Sequence, residues 1–201
     1  DRPELGEMPE LGDAPELGEV IVGEADLRSR VQELGARIGA DYHGLDPLLI
    51  GVLKGAFVFI ADLLRALPLP AEVDFMACSS YGSSTRSSGV VRIVKDLDVD
   101  LAGRHVLLVE DIIDSGLTLS YLRKTLAARN PASLEVCALL VRESALRVDL
   151  ASLRYVGFLI PGDFVVGTVT RLHDSKGNQY LVEAAKVVVE ARPQARFILF
   201  G

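Results

Sequence analysis

Short, unbroken apolar runs recur along this chain, and they constrain its fold more than any other feature. LLIGVL at 48–53, VLLV at 106–109 and VCALLV at 136–141 contain no polar side chain. A strand wetted on one face alternates; a continuous run of this length reads as a strand buried on both faces, as in a parallel sheet. Parallel strands need crossovers, usually helices. The sequence offers them. Leu27, Val31, Leu34 and Ile38 follow Glu24-Ala25-Asp26 at spacings of three and four, one amphipathic helix. Helices are also expected over 56–67 and 116–129. Further strands are expected over 72–80, 90–94, 134–141, 154–158 and 164–169. SSYGSSTRSSG at 79–89 has few anchoring side chains and reads as a mobile loop at the tip of a long hairpin. Strands and helices alternating with short links indicate an α/β fold with a mainly parallel, twisted sheet flanked by helices.

The 201 residues suffice for one domain with a substantial core. PELG occurs three times within the first 18 residues, with too much Pro and Gly for a helix and too few apolar side chains for a core. We read 1–18 as a flexible arm and 19–201 as a single domain. Net charge is −7, from 21 basic and 28 acidic residues, which argues against non-specific nucleic-acid binding. No apolar run approaches the ~20 residues of a membrane span. Cys78 and Cys137 sit in apolar, strand-like stretches and read as buried thiols, a usage that fits a reducing compartment.

Chemistry concentrates in VLLVEDIIDSGLT at 106–118. In open parallel sheets ligands bind beyond the carboxyl ends of the strands. The reading places Glu110 and Asp111 at that edge, after a strand ending at residue 109. The turn from Asp114 to Thr118 opens a helix, and its amide N–H groups form a positive nest suited to phosphate. Ser115 and Thr118 add hydroxyls. Two acids one residue apart point in different directions from a strand, so they suit a diol or a hydrated metal better than a catalytic dyad. Acceptors for sugar hydroxyls beside donors for a phosphate make a ribose-phosphate cradle.

This stretch resembles the ribose-phosphate signature of the type I phosphoribosyltransferases. GVLKGAFVFIADLLRAL, VDFMACSSYGSSTRSSGVVRIVKDLD and YVGFLIPGDFVVG, in that order, are similar to the hypoxanthine-guanine phosphoribosyltransferases. The resemblance runs from about Gly18 to Gly167. It implies the type I fold, with a hairpin lid and a small hood. It implies transfer of the phosphoribosyl group from phosphoribosyl diphosphate to a 6-oxopurine, hypoxanthine or guanine, with Mg²⁺ as cofactor. Glu110 and Asp111 would hold the ribose hydroxyls and lie near the metal. Asp114 would face purine N7 as base or proton acceptor. Asp114, Ser115, Gly116, Leu117 and Thr118 would wrap the 5′-phosphate. Leu53, Lys54 and Gly55 would bind pyrophosphate, with a strained Leu53–Lys54 peptide for which cis is one option. Ser80 and Tyr81 would lie on the lid. Phe164 would stack on the purine, with the Val165 backbone at its edge. The resemblance further implies a homodimer or homotetramer and a cytoplasmic salvage role.

The chain departs from the family pattern in two places. Arg142 occupies the position of a family lysine that hydrogen-bonds the purine 6-oxo group, and it reads equally as a base contact or as a solvated strand-end charge. After FVVG the chain continues GTVTRLHDSKGNQY, which places Arg171 where the family has an Asp. Asp174 could replace that Asp only through an altered loop. Arg171 and Lys176 are weak candidates for a family arginine that contacts diphosphate, and His173 reads as part of a surface turn. Segment 168–201 is therefore atypical, and its runs LVEAAKVVV and RFILF leave a strand pair or a helix and strand open. The alternatives are a nucleotide-binding regulator on the same fold and a transferase for another base.

Overall fold

The computed structural model describes residues 22–80, 91–160, 165–169 and 196–200, the last two stretches as backbone alone. Its elements in chain order are helix α1 (Glu24–Asp41), strand β1 (Pro47–Leu53), helix α2 (Phe57–Ala66), strands β2 (Glu72–Ser80), β3 (Val91–Lys95) and β4 (His105–Ile113), helix α3 (Leu117–Ala127), and strands β5 (Ser133–Arg142), β6 (Tyr155–Ile160), β7 (Val165–Val169) and β8 (Arg196–Phe200). Two single 3-10 turns, Glu143–Ala145 and Leu150–Ser152, lie between β5 and β6.

Six strands form one sheet in the order β3-β2-β1-β4-β5-β6, parallel throughout except for antiparallel β3. The period-2 alternation of the strands sorts their side chains to two faces. Leu49, Leu107 and Val109 pack with Val31, Leu34 and Ile38 of α1 and Phe59, Ile60 and Leu63 of α2. Leu48, Ile50, Val106 and Leu108 pack with Leu119, Leu122 and Leu126 of α3. Both faces are covered, which is why these strands read as unbroken apolar runs. Each such buried side chain contributes about 1.5–3 kcal/mol of transfer free energy. Gly35 and Gly39 let α1 lie close to the end of α2: a Cβ on Gly35 would meet the Ala66 carbonyl oxygen at 2.6 Å, and one on Gly39 would meet Pro68 Cδ at 2.5 Å.

The chain leaves β1 through α2 toward β2, on one side, and leaves β4 through α3 toward β5, on the other. Strand order therefore reverses between β1 and β4, the switch point where an α/β sheet opens a crevice at its carboxyl edge. One boundary differs in a way that matters. β4 does not stop at Val109. Its pairing with β1 ends at Gly51↔Val109, but its pairing with β5 continues through Glu110↔Ala138, Ile112↔Leu140 and Ile113↔Val141. Glu110 and Asp111 thus lie inside the strand rather than beyond its end, Glu110 paired with β5 alone and Asp111 between two β4–β5 pairs.

β2 and β3 form the expected hairpin, with Ser80 opposite Val91. The tip of that hairpin and the N-terminal arm lie outside the described residues, as do Tyr81, Phe164, Arg171, His173, Asp174 and Lys176. RFILF is a strand, paired in parallel with β7 from Val165↔Arg196 to Val169↔Phe200. The described cysteines are both free thiols; Cys137 is fully buried, whereas Cys78 is only partly so.

Candidate active site

The switch-point crevice joins two loops that are distant in sequence. β1 ends at Leu53, and the Leu53–Lys54 peptide is cis. Gly55 follows, and the Asp111 carboxylate rests directly on it: a Cβ at Gly55 would lie 2.6 Å from Asp111 Cγ. A Cβ here would push that carboxylate aside. Burial raises the Asp111 pKa above the usual carboxylate value, with the Ile112 and Asp111 backbone N–H groups acting the other way. Lys54 is exposed and makes no ion pair among the described residues. A cation, backbone groups and a carboxylate therefore share one corner.

Adjacent strand residues face opposite ways, and Glu110 and Asp111 do so. Glu110 lies on the α3 side and is 8% exposed. Its pKa is raised well above the ordinary value, first by burial and then by the Asp111 charge. Its influence reaches Cys78, whose thiol is pushed up to about 11 by burial and then by Glu110 and Asp96. The two acids thus flank the strand.

The turn after β4 is shaped by Gly116, whose φ of +76° is a left-handed value that only glycine adopts readily. Gly116 is the N-cap of α3 and supplies no side chain to its first-turn N–H groups. The Leu117 N–H reaches Ser115 Oγ at 3.5 Å, a long contact. The remaining donors suit an oxyanion. Thr118 is half-buried in the first turn of α3. The turn is braced from outside by the segment after β5: the Arg147 N–H donates to the Ser115 carbonyl at 3.0 Å, and Val148 packs on Gly116, where a Cβ would meet Val148 Cγ2 at 2.6 Å. No local sequence pattern marks this contact, because it is made across the sheet edge.

Asp114 and Arg142 form an ion pair. They stand one step beyond the last β4–β5 pair, Ile113↔Val141, so the parallel register puts them side by side at the rim. No local sequence pattern links the two. Ser80 is the last residue of β2 and Val165 the first of β7.

The comparisons agree with this geometry. The phosphoribosyl transferase domain family matches residues 26–174. The hypoxanthine-guanine phosphoribosyltransferase of Mycobacterium tuberculosis is 55% identical over 154 residues, 74% of this chain and 76% of that protein. The hypoxanthine phosphoribosyltransferase of Escherichia coli is 48% identical over 151 residues, 74% and 84% of the two chains. A crystal structure of a hypoxanthine-guanine phosphoribosyltransferase from Bacillus anthracis superposes with a TM-score of 0.70 at 43% identity, covering 76% of this chain and 89% of that one. A braced turn at the switch point of a parallel sheet and relatives of this closeness lead to one assignment: the chain belongs to the phosphoribosyltransferase family, among the hypoxanthine-guanine phosphoribosyltransferases.

Proposed function

We propose that this chain is a purine salvage enzyme. It transfers the 5-phosphoribosyl group of phosphoribosyl diphosphate to hypoxanthine or guanine, giving IMP or GMP and pyrophosphate. The observation that carries the reading is the shared corner at the switch point, where Asp111 rests on Gly55 beside Lys54 while the braced turn 114–118 lies one strand end away.

Each group then has a task. Lys54 and the backbone of Leu53 and Gly55 hold the diphosphate. Glu110 and Asp111 accept hydrogen bonds from the ribose hydroxyls. The turn amides and the hydroxyls of Ser115 and Thr118 hold the 5′-phosphate. Asp114 faces N7 of the purine and accepts its proton as the glycosidic nitrogen attacks C1 of the ribose. Arg142 donates to the 6-oxo group, Phe164 stacks on the base, and the Val165 backbone lies at its edge. Ser80 and Tyr81 belong to a lid that keeps water from the activated sugar. Holding the donor at both ends and the base in line supplies most of the acceleration.

The residues fit Mg²⁺ of one kind only. Among the described residues no three His, Cys, Asp or Glu side chains converge, so no protein cage exists. Mg²⁺ is commonly held by one or two carboxylates together with substrate phosphates. Glu110 and Asp111 would supply the hard oxygens, directly or through water, to an ion that arrives with the donor. Bound there, it would neutralise charge on the departing diphosphate. No helix among the described residues is long and apolar enough to cross a membrane. A homodimer or homotetramer working in the cytoplasm completes the proposal.

The test separates the tasks. D114N should lower turnover at least tenfold with donor affinity nearly unchanged. E110Q/D111N should instead weaken donor binding in a calorimetric titration. Undiminished donor affinity in the double variant would remove the cradle assignment.

A further inference from the structure

Three consecutive residues of the turn after β4 are each met by the last residue of β5 or the chain beyond it. Asp114 pairs with Arg142, the Ser115 carbonyl accepts from the Arg147 N–H, and Gly116 lies against Val148. That chain is itself pinned to α3. Arg123 Nη1 donates to the Ser152 carbonyl at 3.1 Å, and the Asp149 carboxylate accepts from the Ala151 N–H at 2.9 Å. Leu150 and Val148 pack into the cluster that holds Leu119 and Leu122 of α3. Val148 is therefore a wall backed by the core and not a loose side chain.

Glycine permits the left-handed conformation at position 116 but does not enforce it, because it adopts positive and negative φ about equally. Within the turn the Leu117 N–H reaches Ser115 Oγ only at 3.5 Å, too long to select one conformation. The wall selects it: Val148 Cγ2 lies 2.6 Å from where a Cβ on residue 116 would stand, so it fills the space that glycine leaves. The first N–H groups of α3 follow Gly116 directly, and a hydrogen bond weakens steeply as its angle closes. We propose that Val148 is a positioning residue: by holding Gly116 left-handed it keeps those N–H groups aimed at one point, and it sets how strongly the chain holds a 5′-phosphate without contacting it. The inference rests on the transferase reading above and adds to it a residue from outside the turn.

The affinity ratio of IMP to inosine isolates the phosphate, since the two differ only there. Calorimetry on the full chain and on V148A, V148T and L150A reads it. V148A removes the wall, so the preference for IMP should fall by about tenfold or more, the size of one misaimed hydrogen bond to a charged group, with inosine affinity held. V148T keeps the branched shape at some cost in stability, and L150A weakens the same segment away from the turn. Both should keep the ratio within about twofold of the parent chain. An unchanged ratio in V148A overturns the inference while leaving the transferase reading in place. A fall shared by V148T or L150A marks lost stability rather than lost aim and overturns it as well. A parent chain that binds IMP no better than inosine has no phosphate cradle, which overturns the reading beneath and the inference with it.

Discussion

Replacing Gly116 by alanine separates two costs that usually arrive together. Gly116 has φ +76°, and Gly103, in the turn before β4, has φ +71°. A left-handed conformation costs a residue with a Cβ about 1–2 kcal/mol. At Gly103 that is the whole cost, since a Cβ there meets nothing within 4 Å. At Gly116 the Cβ would lie 2.6 Å from Val148 Cγ2 and 3.1 Å from Cγ1. Val148 packs against the core, and its neighbour Arg147 is tied to the Ser115 carbonyl at 3.0 Å, so the side chain has little room to withdraw. Overpacking of this kind adds about 1–3 kcal/mol. G103A should therefore lose about 1–2 kcal/mol and G116A about 2–5 kcal/mol. Urea titration of both variants measures the losses, and a domain of this size shifts its Tm by about 2–4 °C per kcal/mol. G116A should also bind phosphoribosyl diphosphate more weakly, because the displaced turn is the proposed phosphate cradle. A G116A chain as stable as G103A would show that the Val148 brace is slack and would refute the reasoning.

Two further substitutions probe the edges of the account. Burial and the Asp111 charge raise the Glu110 pKa well above the usual 4.5, so the folded chain holds that proton more tightly than the unfolded one. The associated stability is present below the unfolded value and is lost as pH rises through the folded pKa. In chelator-containing buffer the parent chain should lose stability as pH rises above the ordinary Glu value of 4.5, and E110Q should lose less. Asp111, also raised by burial, leaves part of the slope in place. Identical urea midpoint slopes for the two chains would contradict the burial argument. At the opposite edge of the sheet, Tyr155 OH donates to Asp41 at 2.8 Å while Arg37 and Arg154 lie 5.3 and 5.6 Å from its ring centroid. That bond is the leading cause of the lowered Asp41 pKa. Y155F should cost about 1 kcal/mol and leave donor affinity unchanged; a weakened donor titration would mean that the two edges of the sheet communicate.

The fold was legible where physics is local. LLIGVL and VLLV announce strands buried on both faces, and the spacing of Val31, Leu34 and Ile38 announces α1, because burial alone decides those patterns. The end of β4 was not legible. Glu110 and Asp111 break the apolar run, yet the strand continues because β5 still supplies backbone partners, a fact no window of the sequence contains. The site divides in the same way. The turn at 114–118 is a local motif and could be read directly, and the different directions of the two acids follow from the strand pleat. The contact of Asp111 with Gly55, the brace of Val148 on Gly116 and the pairing of Asp114 with Arg142 each depend on register between distant segments. Arg142 could be read only as a substitution; its partner appears once β4 and β5 are aligned. The tail was equally open in sequence, as a strand pair or a helix and strand: RFILF is a strand whose parallel pairing with β7 no window of the sequence contains, and LVEAAKVVV lies outside the described residues.

The central claim is that the switch-point crevice performs phosphoribosyl transfer. The most direct measurement is nucleotide formation from phosphoribosyl diphosphate with hypoxanthine, guanine, xanthine and adenine offered separately, with and without Mg²⁺. The account expects Mg²⁺-dependent IMP or GMP with stoichiometric pyrophosphate, and little product from adenine. No nucleotide from any base, together with tight binding of the donor or of IMP, would contradict it and identify a ligand-binding protein on a transferase fold.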